Sequence, residues 1–193
     1  MNTINLLSLI LTALFWVMFM GRTVMLMLRG IRVFTMAKNG KALEKILELC
    51  TVPFMLLWTA AVALSVFEKS PLPALFVLPV LQWVGLGLCI AGLAIFLAAL
   101  ISFGNSWRVG IDPENSNRLV TSGAFSFSRN PIFLFMNIFF IGMFLIHPNL
   151  FFLGFALCFA IGIHRQILNE EKFLRAKFGR EYLDYCNKVR RYI

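Results

Sequence analysis

Of the 193 residues, 60% are hydrophobic and only 14% charged, with a mean hydropathy of +0.81, which exceeds what a soluble core requires. The composition therefore points to a polytopic membrane protein. Its net charge of +9 is concentrated beside apolar runs, a pattern that suits orientation in an anionic membrane and argues against a nucleic-acid partner. The four cysteines, Cys50, Cys89, Cys158 and Cys186, stand apart without CxxC or Cys/His spacing, which supports neither a disulfide framework nor a metal site.

In chain order, apolar runs at about 4–28, 49–67, 74–103, 131–146 and 150–163 predict an all-α protein with about five transmembrane helices. The first run lacks a basic leader and a small-residue cleavage pattern, so it reads as a retained span. Between it and the second lies RGIRVFTMAKNGKALEKILE (29–48), whose bases suit a surface helix near anionic headgroups. The third run contains GLGLCIAG, Gly85 to Gly92; small residues at this spacing serve close helix packing or the backbone's approach to a cofactor. Lysine and arginine number five in 29–47, one in 68–73, three in 104–130, none in 147–149 and eight in 164–193. With the N-terminus outside, every basic-rich segment falls on the cytoplasmic side, the C-terminus included. Residues 1–103 then hold three N-terminal spans, and 104–193 form a second region with a helical hairpin and a cytoplasmic amphipathic tail helix.

The fourth and fifth runs hold 16 and 14 residues. As helices they reach about 24 and 21 Å, short of a hydrocarbon core of ~30 Å, and so predict a hairpin that borrows flanking residues. In the tail, Ile167, Leu174, Phe178, Tyr182, Tyr185 and Val189 recur at helical spacing as one stripe interrupted by Gly179. Glu171 with Arg175, and Asp184 with Lys188, are i,i+4 pairs of the kind that decorate an exposed face.

Chemistry-bearing residues gather in 104–130 and in the tail. In SRNPIF (128–133), Pro131 suits the first turn of a helix and Asn130 its cap. Free N–H groups at that helix start, with Arg129 beside them, favour a carboxylate; an interfacial anchor is the other reading of the same arginine. In HRQILNEE, Gln166 and Glu170 share a helix face, with Arg165 and Glu171 to either side. A carboxylate at the bilayer border needs a cation or donor hydroxyls, and solvent exposure is the alternative.

The segment LVTSGAFSFSRNPIF, taken with EEKFLRAKFGREYLDYCNKV, resembles the isoprenylcysteine carboxyl methyltransferase family, integral membrane enzymes that use S-adenosylmethionine. The resemblance covers roughly 105–193. Where that family has Arg-His-Pro-x-Tyr this chain reads Arg129-Asn130-Pro131-Ile132-Phe133, and Phe125 stands where the family has Tyr. By motif, the resemblance implies cofactor contacts at Asn117, Arg118, Leu119, Val120, Phe125, Arg129, Asn130, Pro131, Ile132, Phe133 and Glu170. The family's substrate-orienting arginine falls at Gln166, with Arg165 the nearest guanidinium. Arg165 and Gln166 are thus the implied substrate-binding residues, and Arg165 and Glu170 the implied catalytic ones. The implied reaction is methyl transfer to the carboxylate of a lipophilic, prenylcysteine-like substrate at the cytoplasmic membrane face, with membrane lipid as the other partner; oligomeric state is not legible. The rivals are a phospholipid amine N-methyltransferase and, from another chemical class, an NADPH-dependent sterol-type reductase. The reductase is disfavoured because 104–130 offers only Arg108, Arg118 and Arg129 for a 2′-phosphate. A haem clasped between two histidines is disfavoured because the charge count puts His147 and His164 on opposite faces.

Overall fold

The computed structural model describes residues 3–31, 33, 42–67, 69–104 and 119–193, with side chains in the second helix described from residue 53 onwards. Six α-helices are described, α1 (Thr3–Leu28), α2 (Ala42–Val66), α3 (Pro79–Phe103), α4 (Pro131–Ile146), α5 (Leu150–Phe178) and α6 (Arg180–Lys188), together with a 310 turn at Gly123–Ser126. No strand occurs among the described residues, and the all-α membrane architecture holds. Among them, α1, α3 and α5 are long and apolar enough to cross a bilayer, and α4 is a shorter apolar helix. The chain divides into two compact units, Met1–Ser70 with Phe103–Arg118, and Pro71–Ser102 with Leu119–Ile193.

In the first unit α1 is apolar over most of its circumference, with Arg22 its one charged residue. Within the helix Thr12 Oγ1 donates to the Ser8 carbonyl at 2.9 Å and Ser8 Oγ donates to the Asn5 carbonyl at 2.8 Å. Trp16 Nε1 donates to Thr59 Oγ1 at 3.0 Å, and Thr59 Oγ1 donates to the Met55 carbonyl at 2.9 Å. The Trp16–Thr59 bond joins α1 to α2 and leaves neither of these two side chains with an unpaired polar group. At the far end of α1, Arg22 Nη2 donates to the Gly104 carbonyl.

The second unit places α3 with the C-terminal helices. Its glycine run packs directly on α4: a Cβ at Gly85 would lie 2.5 Å from the Gly142 carbonyl oxygen, and one at Gly142 would lie 2.6 Å from Cys89 Sγ. Small residues are required there because the two backbones touch. Two turns further along, Gly92 admits Phe135, whose ring stacks on Phe96 with centroids 4.5 Å apart. Of the two readings of GLGLCIAG, close helix packing is the one these contacts supply.

His147-Pro148-Asn149 turns α4 into α5, and Asn149 caps α5 by accepting from the Phe152 amide at 3.2 Å. Phe140 meets Phe155 and Phe159 edge-on across the hairpin. The fourth run is helical over the predicted residues, but the fifth does not stop at 163. It continues through the charged sequence as one helix of 29 residues, about 43 Å long. Its hydropathy falls after Ile163 while its backbone pattern does not change, so the amphipathic tail is mostly an extension of this helix. Gly179, at φ +51°, ends α5 with its N–H on the Arg175 carbonyl at 3.0 Å, and α6 begins at the next residue.

Candidate functional site

The helical stripe of the tail closes on itself because Gly179 folds α6 back. Tyr182, Tyr185 and Val189 form a buried cluster against which Leu119, Leu174, Phe178 and Cys186 pack. Tyr185 Oη donates to the Phe125 carbonyl at 2.6 Å, pinning the 310 turn to α6. Burial pushes the Tyr185 phenol up to about 12 and raises that of Tyr182 as well, so both remain neutral donors at ordinary pH.

Beside this cluster lies the start of α4. The Arg129 amide donates to the Arg190 carbonyl at 3.0 Å, and Asn130 Nδ2 donates to the Arg191 carbonyl at 3.1 Å. Ser128 Oγ is 3.4 Å from that same carbonyl and accepts from the Asn130 amide at 3.1 Å. The last residues of the chain thus lie along the border of α4. Asn130 therefore differs from its expected part: it occupies the cap position, but its side chain does not cap α4 and instead holds the tail. The first-turn amides of α4 receive no side-chain cap.

A charged group sits under this seam. Glu171, 4% exposed, accepts from Arg191 Nε at 3.0 Å through Oε1 and from Arg191 Nη2 at 2.8 Å through Oε2, the two-pronged geometry that a guanidinium and a carboxylate favour. Arg129 Nη2 approaches the same carboxylate at 3.2 Å, and Arg129 Nη1 donates to Cys186 Sγ. The hydrogen bond to Glu171 raises the Arg191 pKa further. Glu171 is consequently not the exposed i,i+4 partner that its spacing from Arg175 suggests. Arg129 is itself nearly buried, and its Nε has no hydrogen-bond partner.

The remaining candidates divide by location. Pro131 is buried at the first position of α4, and Ile132 and Phe133 are half-buried behind it. Leu119 and Val120 are half-buried and Phe125 is buried; Leu119, Phe125, Arg129 and Asn130 each contact α6 or the tail. On α5, Gln166 and Glu170 are half-buried and Arg165 is exposed. Asn117 and Arg118 lie outside the described residues.

Glu171, Arg191 and Cys186 are the members that inspection of motifs passes over. A signal for Glu171 is present: it falls four residues after Ile167 and three before Leu174, on the apolar stripe itself. A carboxylate on a buried stripe requires a cation.

The sequence profile of the phospholipid methyltransferase family matches residues 80–181. A probable protein-S-isoprenylcysteine O-methyltransferase of Oryza sativa subsp. indica, and one of the same description from subsp. japonica, are each 33% identical over 112 residues. These alignments cover 56% of this chain and 58% of each relative, so the chain spans little more than half the length of the curated relatives it matches. The resemblance to isoprenylcysteine methyltransferases read from the two motifs therefore holds.

Proposed function

We propose, given that the chain belongs to the phospholipid methyltransferase family, that it transfers a methyl group from S-adenosylmethionine to the carboxylate of a lipid-modified, prenylcysteine-like substrate at the cytoplasmic membrane face. The observation that carries this reading is the 33% identity to relatives described as isoprenylcysteine O-methyltransferases, over a stretch of 112 residues. The orientation proposed with it puts the C-terminus and the 104–130 segment in the cytoplasm and has the chain cross the membrane five times.

The residues present suit the cofactor. An uncapped helix start beside a nearly buried guanidinium whose Nε lacks a partner is a donor set for an anionic group such as the cofactor's carboxylate. Bound there, S-adenosylmethionine supplies an electrophilic methyl on a sulfonium. Arg129 and the first turn of α4 would hold its carboxylate, Leu119, Val120, Phe125, Ile132 and Phe133 would supply apolar and aromatic surface, and Glu170 would accept from hydroxyls or face positive charge. Arg165 and Gln166, on the same helix as Glu170, would orient the acceptor.

An acceptor carboxylate with an ordinary pKa is already ionised at neutral pH, so the residues have no proton to remove. Their work is to orient two groups and exclude water. An amine acceptor differs in needing a base. The description of the matched family favours that acceptor as the second reading.

Titrating the detergent-purified protein with S-adenosylmethionine, S-adenosylhomocysteine and NADPH by calorimetry tests the cofactor. Turnover with a prenylcysteine analogue and with an aminophospholipid then separates the acceptors. Binding of NADPH alone overturns the methyltransferase reading, and turnover of the aminophospholipid alone transfers it to the second acceptor.

A further inference from the structure

Glu171 and Glu170 are adjacent in sequence, yet their surroundings differ. Glu170 is half-buried on α5, whereas both carboxylate oxygens of Glu171 are occupied, by Arg191 at 3.0 and 2.8 Å and by Arg129 at 3.2 Å. The carboxylate therefore links three pieces of chain: the last third of α5, the segment just before α4, and the stretch that follows α6. From this geometry we infer that Glu171 is a positioning residue for the proposed cofactor site, acting through Arg129 and Arg191 to clamp the tail against the start of α4. The inference rests on the methyltransferase reading and adds a role for residues outside the motif contacts.

The physical argument concerns what holds Arg129. An arginine side chain has four rotatable bonds, and orienting it for a ligand costs affinity unless something else fixes it first. Here Glu171 takes Nη2 and Cys186 takes Nη1, which leaves Nε buried without a partner. Two like charges, Arg129 and Arg191, lie on one carboxylate, so removing that carboxylate leaves them repelling one another in a water-poor place. The tail would then separate from α4. With it would go the bonds from the Arg129 amide to the Arg190 carbonyl and from Asn130 Nδ2 to the Arg191 carbonyl. A change at Glu171 thus reaches the helix start without Glu171 touching the ligand.

The test uses the full chain in detergent with Glu171→Gln, Glu171→Asp, Arg191→Ala and the double variant Glu171→Gln/Arg191→Ala. Three quantities are measured: S-adenosylmethionine affinity by calorimetry, amide hydrogen exchange at Arg129, and the thermal midpoint. Glu171→Gln should weaken the cofactor at least tenfold and accelerate exchange at Arg129, and Glu171→Asp should recover part of both. The double variant should be no worse than about the poorer single one, because the two residues form one clamp. A Glu171→Gln protein that binds S-adenosylmethionine as wild type does overturns the positioning role, even if its thermal midpoint falls. Wild-type protein that fails to bind S-adenosylmethionine overturns the underlying methyltransferase reading and this inference together, so the two failures are distinguishable.

Discussion

Asn130 Nδ2 donates to the Arg191 carbonyl at 3.1 Å across 61 residues of sequence, whereas Asn149, at the same position relative to the next helix, accepts from the Phe152 amide at 3.2 Å. One asparagine ties the tail and the other caps a helix. Serine caps nearly as well as asparagine, but its short hydroxyl does not reach where an amide reaches. Asn149→Ser should therefore be nearly neutral, while Asn130→Ser should cost roughly 0.5–1.5 kcal/mol, the worth of one hydrogen bond. Chemical unfolding of both variants in the same detergent checks this, and equal losses would contradict the separate roles.

The glycine contact between α3 and α4 gives a second expectation. A methyl group at Gly142 would meet Cys89 Sγ and the Gly85 carbonyl at 2.6 and 2.7 Å, and backbone cannot yield as a flexible side chain does. Gly142→Ala should destabilise by about 1–3 kcal/mol, the usual range for overpacking. Gly154, with nothing within 4 Å of its Cβ position, is the control. Gly154→Ala should be neutral or slightly stabilising by helix propensity. Thermal unfolding of the two variants reads the difference directly.

These contacts mark how far the sequence could be read. The α4 boundaries were legible because Pro131 opens the helix and His147-Pro148-Asn149 closes it, each by local backbone chemistry. The length of α5 was not, because hydropathy reports the solvent around a helix and not the continuity of its hydrogen bonds; the polar residues after Ile163 change only the former. Gly179 was visible as an interruption, but that it folds the stripe back onto Leu119 is a tertiary fact. Glu171 was misread as an exposed pair because its i,i+4 neighbour Arg175 offered a local explanation. Its actual partners lie 42 and 20 residues away in sequence, and no periodicity encodes them.

Tyr185 offers a pH-dependent test. Its phenol is raised from an ordinary 10 to about 12, so the native state favours the protonated form that donates to the Phe125 carbonyl. The sign follows: this stabilisation is fully present below pH 10, where both folded and unfolded phenols are protonated, and is lost as the pH rises through about 12. Tyr185→Phe should cost about 1 kcal/mol at pH 8, for the missing hydrogen bond. Between pH 10 and 12 the variant should lose less stability than the wild type, since one titrating group is gone. Parallel stability curves across that interval would show that this phenol is not the group involved.

The roles proposed for Arg129 and Arg165 separate in kinetics. Arg129 is nearly buried, engaged with Glu171 and Cys186 and beside an uncapped helix start, while Arg165 is exposed on α5. Arg129→Ala should therefore raise the dissociation constant for S-adenosylmethionine by on the order of 10- to 100-fold, equivalent to about 1–3 kcal/mol for a charged hydrogen-bonding group. Arg129→Lys should not restore affinity, since one ammonium cannot span the carboxylate and the Cys186 sulfur while leaving a further donor in the guanidinium plane. Arg165→Ala should leave cofactor affinity nearly intact and reduce kcat at saturating cofactor, by on the order of 100-fold if the acceptor carboxylate loses its alignment. Calorimetry with the cofactor and turnover of a prenylcysteine analogue, measured on the same preparations, keep the two effects apart. Normal cofactor affinity in folded Arg129→Ala would return Arg129 to the part of an interfacial anchor that only fastens the tail. Unchanged kcat in Arg165→Ala would move the orienting role to another residue, with Gln166 the next to substitute.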